Sequence, residues 1–146
     1  MKIFGYGTFI TSGFYKNYTN VQPGFLPGYI RIRRPQDPFP FILRNSSDTP
    51  NKGFWGLFFE VTSKQLDDLD YYEGGLYERI PVECIYKEGS KELSMTYYPT
   101  KKSIQLYNLT DFISEIDPWR LKIITDHLEI IKEFPELGWE HSPTEK

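Results

Sequence analysis

Cysteine is almost missing from this chain. One residue in 146, Cys84, leaves no intramolecular disulfide to form, and a reducing compartment is expected. Cys84 lies in the strand-like run Ile80-Pro81-Val82-Glu83-Cys84-Ile85-Tyr86 with no histidine nearby, so it reads as a small buried hydrophobe and not as a nucleophile. Histidine is as scarce. His127 and His141 alone make no convincing metal site, and no metal or other cofactor is expected. No apolar stretch is long enough to span a bilayer, and no basic-then-apolar segment opens the chain. The sequons beginning at Asn17, Asn45 and Asn108 therefore carry little weight, and a cytoplasmic location away from membranes is expected. An excess of positive charge is lacking too. The formal net charge is −3, so nothing global draws the chain to nucleic acid. The local exception, Arg31-Ile32-Arg33-Arg34, reads first as a half-buried strand, with Ile30 and Ile32 alternating with Arg31 and Arg33. A phosphate site is the second reading.

Aromatic residues are plentiful, at 17% of the chain, enough both to build a compact core and to line a pocket. Residues 1–146 are most simply one domain, long enough to bury roughly two-thirds of the surface of its unfolded chain. Met1 to Tyr6 reads as a first, central strand, and residues 10–23 as a polar loop or short helical excursion. Phe25 to Ile32 and Pro40 to Arg44 are strand candidates around the turn Arg34-Pro35-Gln36-Asp37-Pro38, and Asn45 to Lys52 is a surface loop. The most apolar run, Gly53 to Val61, fits a buried strand. Thr62 and Gln65 form a capping-box pattern, Leu66 and Leu69 face inward from the helix that follows, and Gly74-Gly75 stops it. Ile80 to Lys87 and Glu92 to Pro99 pair as a hairpin through Glu88-Gly89-Ser90-Lys91. Asp117-Pro118 opens a helix over 118–134, with Leu121, Ile124, Leu128 and Ile131 at helical spacing and His127 beside that stripe as a structural residue. The tail after Leu137 is expected to fray. The sum is an α+β domain of about six strands with two principal helices, in which so many short strands imply a strongly curled or closed sheet.

Glu73 is the candidate for the chemistry. It ends the run Leu66 to Tyr72 and leads into Gly74-Gly75-Leu76-Tyr77-Glu78-Arg79, where a carboxylate at a helix end is well placed to face a cleft. The blander reading, a solvated helix end, is outweighed by the segments that accompany it. Nearby Asp67, Asp68 and Asp70 and partial burial would raise the Glu73 pKa; Arg79 would lower it, and both outcomes stay open. Near the start of the chain, Gly5-Tyr6-Gly7-Thr8 can offer backbone N–H groups to a carboxylate or developing oxyanion. The alternative is that Gly5 and Gly7 merely relieve crowding at a barrel strand. Tyr77 and Arg79 either brace the helix end or touch substrate.

Four segments in order resemble the γ-glutamyl cyclotransferase-like superfamily: Tyr6-Gly7-Thr8-Phe9, Gly53-Phe54-Trp55-Gly56-Leu57, Leu69-Asp70-Tyr71-Tyr72-Glu73-Gly74 and Tyr77-Glu78-Arg79. The resemblance covers roughly residues 1–100. It implies a small mixed β-barrel flanked by helices, with Glu73 as general acid/base and the loop Tyr6, Gly7, Thr8, Phe9 binding the γ-glutamyl group. Tyr98 falls where family members often carry a pocket tyrosine. Phe9 and Ile10 replace the Asn-Leu typical of the glutathione-pathway enzymes, which places the loop nearer the plant-type and glutamylamine-type branch. The implied reaction is cofactor-free cyclotransfer of a small-molecule γ-glutamyl substrate, releasing 5-oxoproline and an amine. The rival is a catalytically silent barrel that binds an amino-acid-like ligand or a protein partner. The particular γ-glutamyl compound and the oligomeric state are left open.

Overall fold

Seven strands make up the sheet structure of the described residues, which in this computed structural model are 1–45 and 52–143. Five of them close a barrel in the order β1 (Lys2–Gly5), β5 (Gly53–Glu60), β2 (Thr19–Pro27), β6 (Tyr77–Tyr86), β7 (Lys91–Pro99). The barrel is mixed: β1 runs parallel to β7 at Ile3↔Met95, and every other pairing is antiparallel. A separate two-stranded ribbon, β3 (Tyr29–Ile32) with β4 (Phe41–Arg44), lies beside it. Side chains alternate across a strand, so one face of each barrel strand points into the barrel and the other is buried only where a helix covers it. One face brings Phe4, Leu26, Phe58, Val82 and Cys84 into a single cluster that fills the barrel. The other carries Ile3, Phe59 and Tyr97 beneath the first long helix, and Phe25, Trp55 and Leu57 beneath the C-terminal helices. Cys84 is fully buried and its thiol pKa is driven up by desolvation, the inert residue anticipated.

The helices supply the walls. α1 (Thr8–Thr11) is a single turn leaving β1, and α2 (Ser63–Glu73) follows β5. The capping box is present: Thr62 Oγ1 accepts from the Gln65 amide and Gln65 Oε1 from the Thr62 amide. Leu69 is buried, Leu66 packs beside it, and Gly74 at φ 63° ends α2. α3 (Lys101–Leu106), which follows β7 without a break in polarity, was not foreseen. Asp117 caps α4 (Pro118–Asp126) by accepting from the amides of Trp119 and Arg120.

Several expectations are corrected. The strand expected over Phe25–Ile32 is two: Gly28, at φ 84°, turns the chain out of the barrel into the ribbon. The polar segment 10–23 holds α1, a 3-10 turn at Phe14–Asn17 and the first half of β2, whose exposed outer residues hid the strand. The helix expected over 118–134 breaks at His127 into α4 and α5 (Leu128–Glu133). That break changes the buried stripe to Trp119, Ile123 and Ile130, leaving Leu121 and Leu128 exposed. In β3 it is Arg31, not Ile30, that is buried alongside Ile32. Just after Leu137 the chain packs through residue 141: Trp139 stands edge-on to Trp55 at 5.5 Å, and Trp55 Nε1 donates to the His141 carbonyl at 2.8 Å. The surface loop expected between Asn45 and Lys52 lies, for residues 46–51, outside the described residues. Among the described residues no helix is long and apolar enough to cross a membrane.

Candidate functional site

Where α2 ends, Glu73 looks into a cavity of about 400 Å³. The loop from Gly5 to Phe9, delivered by β1, lines it as well, together with Pro38-Phe39-Pro40, ahead of β4, and with Tyr77 and Tyr97. Four segments distant in sequence therefore meet at one end of the barrel.

The carboxyl of Glu73 has no hydrogen bond or ion pair among the described residues. Desolvation alone pushes its pKa from 4.5 up to about 7. Of the influences weighed from sequence, burial decides the direction, and Arg79 is engaged by Asp70, its Nε 2.9 Å from Oδ1. Tyr97 Oη donates to the same Asp70 oxygen at 2.7 Å. Asp70 is thus the peg by which the last turn of α2 is fixed to β6 and β7. Arg79 braces, whereas Tyr77 lines the cavity, its phenol pKa raised by burial and then by Glu73.

The glycine loop is held from behind. Tyr6 turns its side chain into the core, where Oη donates to the Tyr97 carbonyl at 2.5 Å, and burial drives its pKa up. Its own carbonyl accepts from Arg31 Nη1 at 3.0 Å. Gly7 precedes α1 with no side-chain cap, so the first-turn amides of Thr8 and Phe9 lack a helical acceptor. Gly7 adopts φ −131°, so a positive φ is not what selects glycine here. A Cβ at Gly7 would stand 2.9 Å from Cγ and Cδ of Pro40, and close packing of the two walls is the reason.

Of the residues singled out from sequence, Glu73, Tyr6, Gly7, Thr8 and Phe9 all line this cavity. Tyr98 does not. Alternation along β7 turns it to the opposite face, where Oη accepts from the Arg44 amide at 2.9 Å and the ring meets Tyr29; its neighbour Tyr97 takes the place at the cavity. Pro38–Pro40 and Tyr97 were missed. Two adjacent tyrosines are indistinguishable until the strand's parity relative to α2 is known, and the proline segment read only as a turn. The arginine cluster is internally satisfied: Arg31 pairs with Asp117, Arg34 with Asp37, and Arg33 donates to the Asp37 carbonyl. Among the described residues no group of three or more His, Cys, Asp or Glu is arranged to hold a metal ion.

The closed mixed barrel flanked by helices is the γ-glutamyl cyclotransferase-like fold, and solved structures agree. A solution structure of an Arabidopsis thaliana protein superposes with a TM-score of 0.64 at 24% identity, covering 91% of this chain and 87% of that one. A γ-glutamyl cyclotransferase structure gives 0.55 at 19% identity, over 68% and 66%. An AIG2-like protein from Mus musculus gives 0.56 at 16%, over 80% and 90%. At these identities the likeness shows the fold alone. The family follows from sequence: the family model "Gamma-glutamyl cyclotransferase, AIG2-like" matches residues 3–120, and the chain belongs to that family. Protein AIG2 C of Arabidopsis thaliana is 26% identical over 126 residues, 85% of this chain and 71% of the relative. AIG2-like protein B of the same plant is 29% identical over 102 residues, 66% of this chain and 57% of the relative. Membership supports a cyclotransferase-like role in general.

Proposed function

We propose that this chain is a γ-glutamyl cyclotransferase in which Glu73 is the general acid/base. The observation that carries the reading is the half-buried, unpartnered Glu73 carboxyl, with its pKa pushed up to about 7, at the wall of a cavity that the Gly5–Phe9 loop also lines. A proton shuttle works best when its pKa lies near the operating pH, because it must accept and return a proton in one cycle.

In the proposed cycle the neutral α-amine of the γ-glutamyl group attacks its own γ-carbonyl carbon. A C–N bond forms, the carbonyl electron pair moves to oxygen, and a proton from the attacking nitrogen passes to the Glu73 carboxylate. The oxyanion collapses, the bond to the leaving nitrogen breaks, and Glu73 returns the proton to that nitrogen. The products are 5-oxoproline and an amine, with no change in oxidation state. Tethering of nucleophile to electrophile supplies most of the proximity once the substrate conformation is fixed. The amides of Thr8 and Phe9 are the donors assigned to the substrate carboxylate or the oxyanion.

The test is 5-oxoproline release from a panel of γ-glutamyl compounds by wild type and Glu73→Gln. Loss of the shuttle should lower turnover about 10²–10⁴-fold while the circular dichroism spectrum stays unchanged. Wild-type rates in the variant would remove Glu73 from the chemistry. A folded wild type that releases no 5-oxoproline from any of them would favour the silent, ligand-binding barrel.

A further inference from the structure

The composition of the cavity wall constrains the half of the substrate that leaves. Among the described residues, Glu73 is the one carboxylate in the lining, and the lining contains no lysine, arginine or histidine. The neighbouring cations are committed elsewhere: Arg79 to Asp70, Arg34 to Asp37 and Arg31 to Asp117. A carboxylate on the leaving group would thus bring a second negative charge close to the half-buried Glu73, with no cation in the lining to pair it. The γ-glutamyl half brings its own α-carboxylate, and the single set of uncapped amides on the glycine loop is claimed by it or by the oxyanion.

Beside Glu73 the wall is aromatic and open. Phe9 and Tyr72 have ring centroids 6.2 Å apart, and Phe14 meets both, at 6.2 Å and 6.3 Å. Phe9 is anchored from below by Phe59. Yet Tyr72 is 62% and Phe14 45% exposed, so this cluster presents ring surface to water at the rim of the cavity. Tyr72 directly precedes Glu73, and both line the cavity together with Phe9, so the exposed rings border the space in which the acid would act. Rings in such a cluster gain from a further ring packed edge-on or offset against them.

We propose that the leaving group is a carboxylate-free aryl or arylalkyl amine, packed on Phe9 and Tyr72, so that the substrate is a γ-glutamyl arylalkylamide and not a γ-glutamyl amino acid or peptide. The inference rests on the cyclotransferase reading and names the substrate class for that site.

Three matched compounds test it. γ-Glutamyl-phenethylamine and γ-glutamyl-phenylalanine differ by one carboxylate; γ-glutamyl-phenethylamine and γ-glutamyl-ethylamine differ by one ring. The expected kcat/KM for 5-oxoproline release from the phenethylamide exceeds that of each other compound by roughly tenfold or more. Tyr72→Ala, at an exposed position, should pull the phenethylamide-to-ethylamide ratio towards one. Equal or better turnover of γ-glutamyl-phenylalanine overturns the exclusion of carboxylates. Equal turnover of the ethylamide, or an unchanged ratio in Tyr72→Ala, overturns the aromatic subsite. Calorimetric affinities of Glu73→Gln for the same compounds separate this inference from the activity. If wild type releases no 5-oxoproline but the variant still binds the phenethylamide most tightly, the cyclotransferase reading falls and the ligand preference stands; if binding shows no such order, the preference falls as well.

Discussion

Arg31 and Asp117 meet side-on, with Nη2 2.6 Å and Nε 2.9 Å from the same carboxylate oxygen, Oδ2, although 86 residues separate them in the chain. The guanidinium is buried, its plane lies over Phe54, and its free edge donates to the Tyr6 carbonyl. Asp117 in turn caps α4 through Oδ1. One buried cation therefore ties the start of the C-terminal helix to the glycine loop of the candidate site.

Removing either partner should not cost the same. Asp117→Ala strands a buried guanidinium and uncaps a helix, and is expected to destabilise by about 3–5 kcal/mol. Arg31→Met keeps an unbranched apolar stem in the core and leaves Asp117 with its cap and partial access to water, so its loss should be clearly smaller. Urea denaturation of both variants checks this. A larger loss in Arg31→Met would show that the cation is not held by Asp117 in the way described.

Glu73 should trade stability for function. The folded chain keeps this proton up to about pH 7, whereas 4.5 is the ordinary value for an exposed glutamate. Between those values the folded state binds more protons, so the stabilisation is full below pH 4.5 and is lost as pH rises through 7. Glu73→Gln has no charge to desolvate. At pH 8 it should be more stable than wild type by on the order of 1–3 kcal/mol, and the difference should shrink towards pH 4.5. Paired melting curves across pH measure it. A variant less stable than wild type at pH 8 would mean that the carboxylate is held by favourable contacts.

Much of this architecture was readable because its signals are local. The Thr62–Gln65 capping box, Gly74 at the end of α2, the hairpin at Gly89 and Asp117-Pro118 each depend on a few adjacent residues whose chemistry admits few alternatives. That Glu73 ends a helix and that the loop at Tyr6–Phe9 leaves a strand were legible for the same reason, and the structure brings both to one cavity. What failed depends on relations between distant segments. The strand at Thr19–Val21 has exposed residues and gains its identity only by pairing with β5. Tyr98 and Tyr97 differ only in which face of β7 meets α2. Arg31 looked solvated until Asp117 arrived, and the break at His127 follows from packing that helical spacing alone does not record.

The C-terminal segment offers a test of one such relation. Trp139 packs edge-on to Trp55, stacks with His141 at 5.0 Å, and carries Lys87 over its face. Trp139→Ala should destabilise by about 2–3 kcal/mol, less than the loss of a fully buried tryptophan because one side of the ring is open. Trp55 fluorescence should shift as its indole gains access to water. An unchanged melting temperature would restore the frayed tail expected from sequence.

The glycine loop separates main-chain from side-chain recognition. Thr8 presents a half-buried side chain, and its carbonyl is occupied by the Ser12 amide at 2.8 Å, so Thr8→Ala leaves the turn intact. Gly7→Val does not. Its new Cβ would sit 2.9 Å from two ring carbons of Pro40, which is itself a wall of the cavity, and the branched methyl groups would add to the overlap. Relief requires the loop and the Pro38–Pro40 segment to part, moving the amides of Thr8 and Phe9 relative to Glu73. Overpacking of this kind costs about 1–3 kcal/mol, which corresponds to a loss of roughly five- to 150-fold in affinity for 5-oxoproline if the ligand sits on these amides. Thr8→Ala should stay within about threefold of wild type, a difference below 1 kcal/mol. Titration calorimetry on both variants, with folding verified by circular dichroism, decides the matter. Equal affinity in Gly7→Val and wild type would place the ligand elsewhere in the cavity, against Tyr77 and Tyr97, and Glu73 would then need a different set of donors to work with.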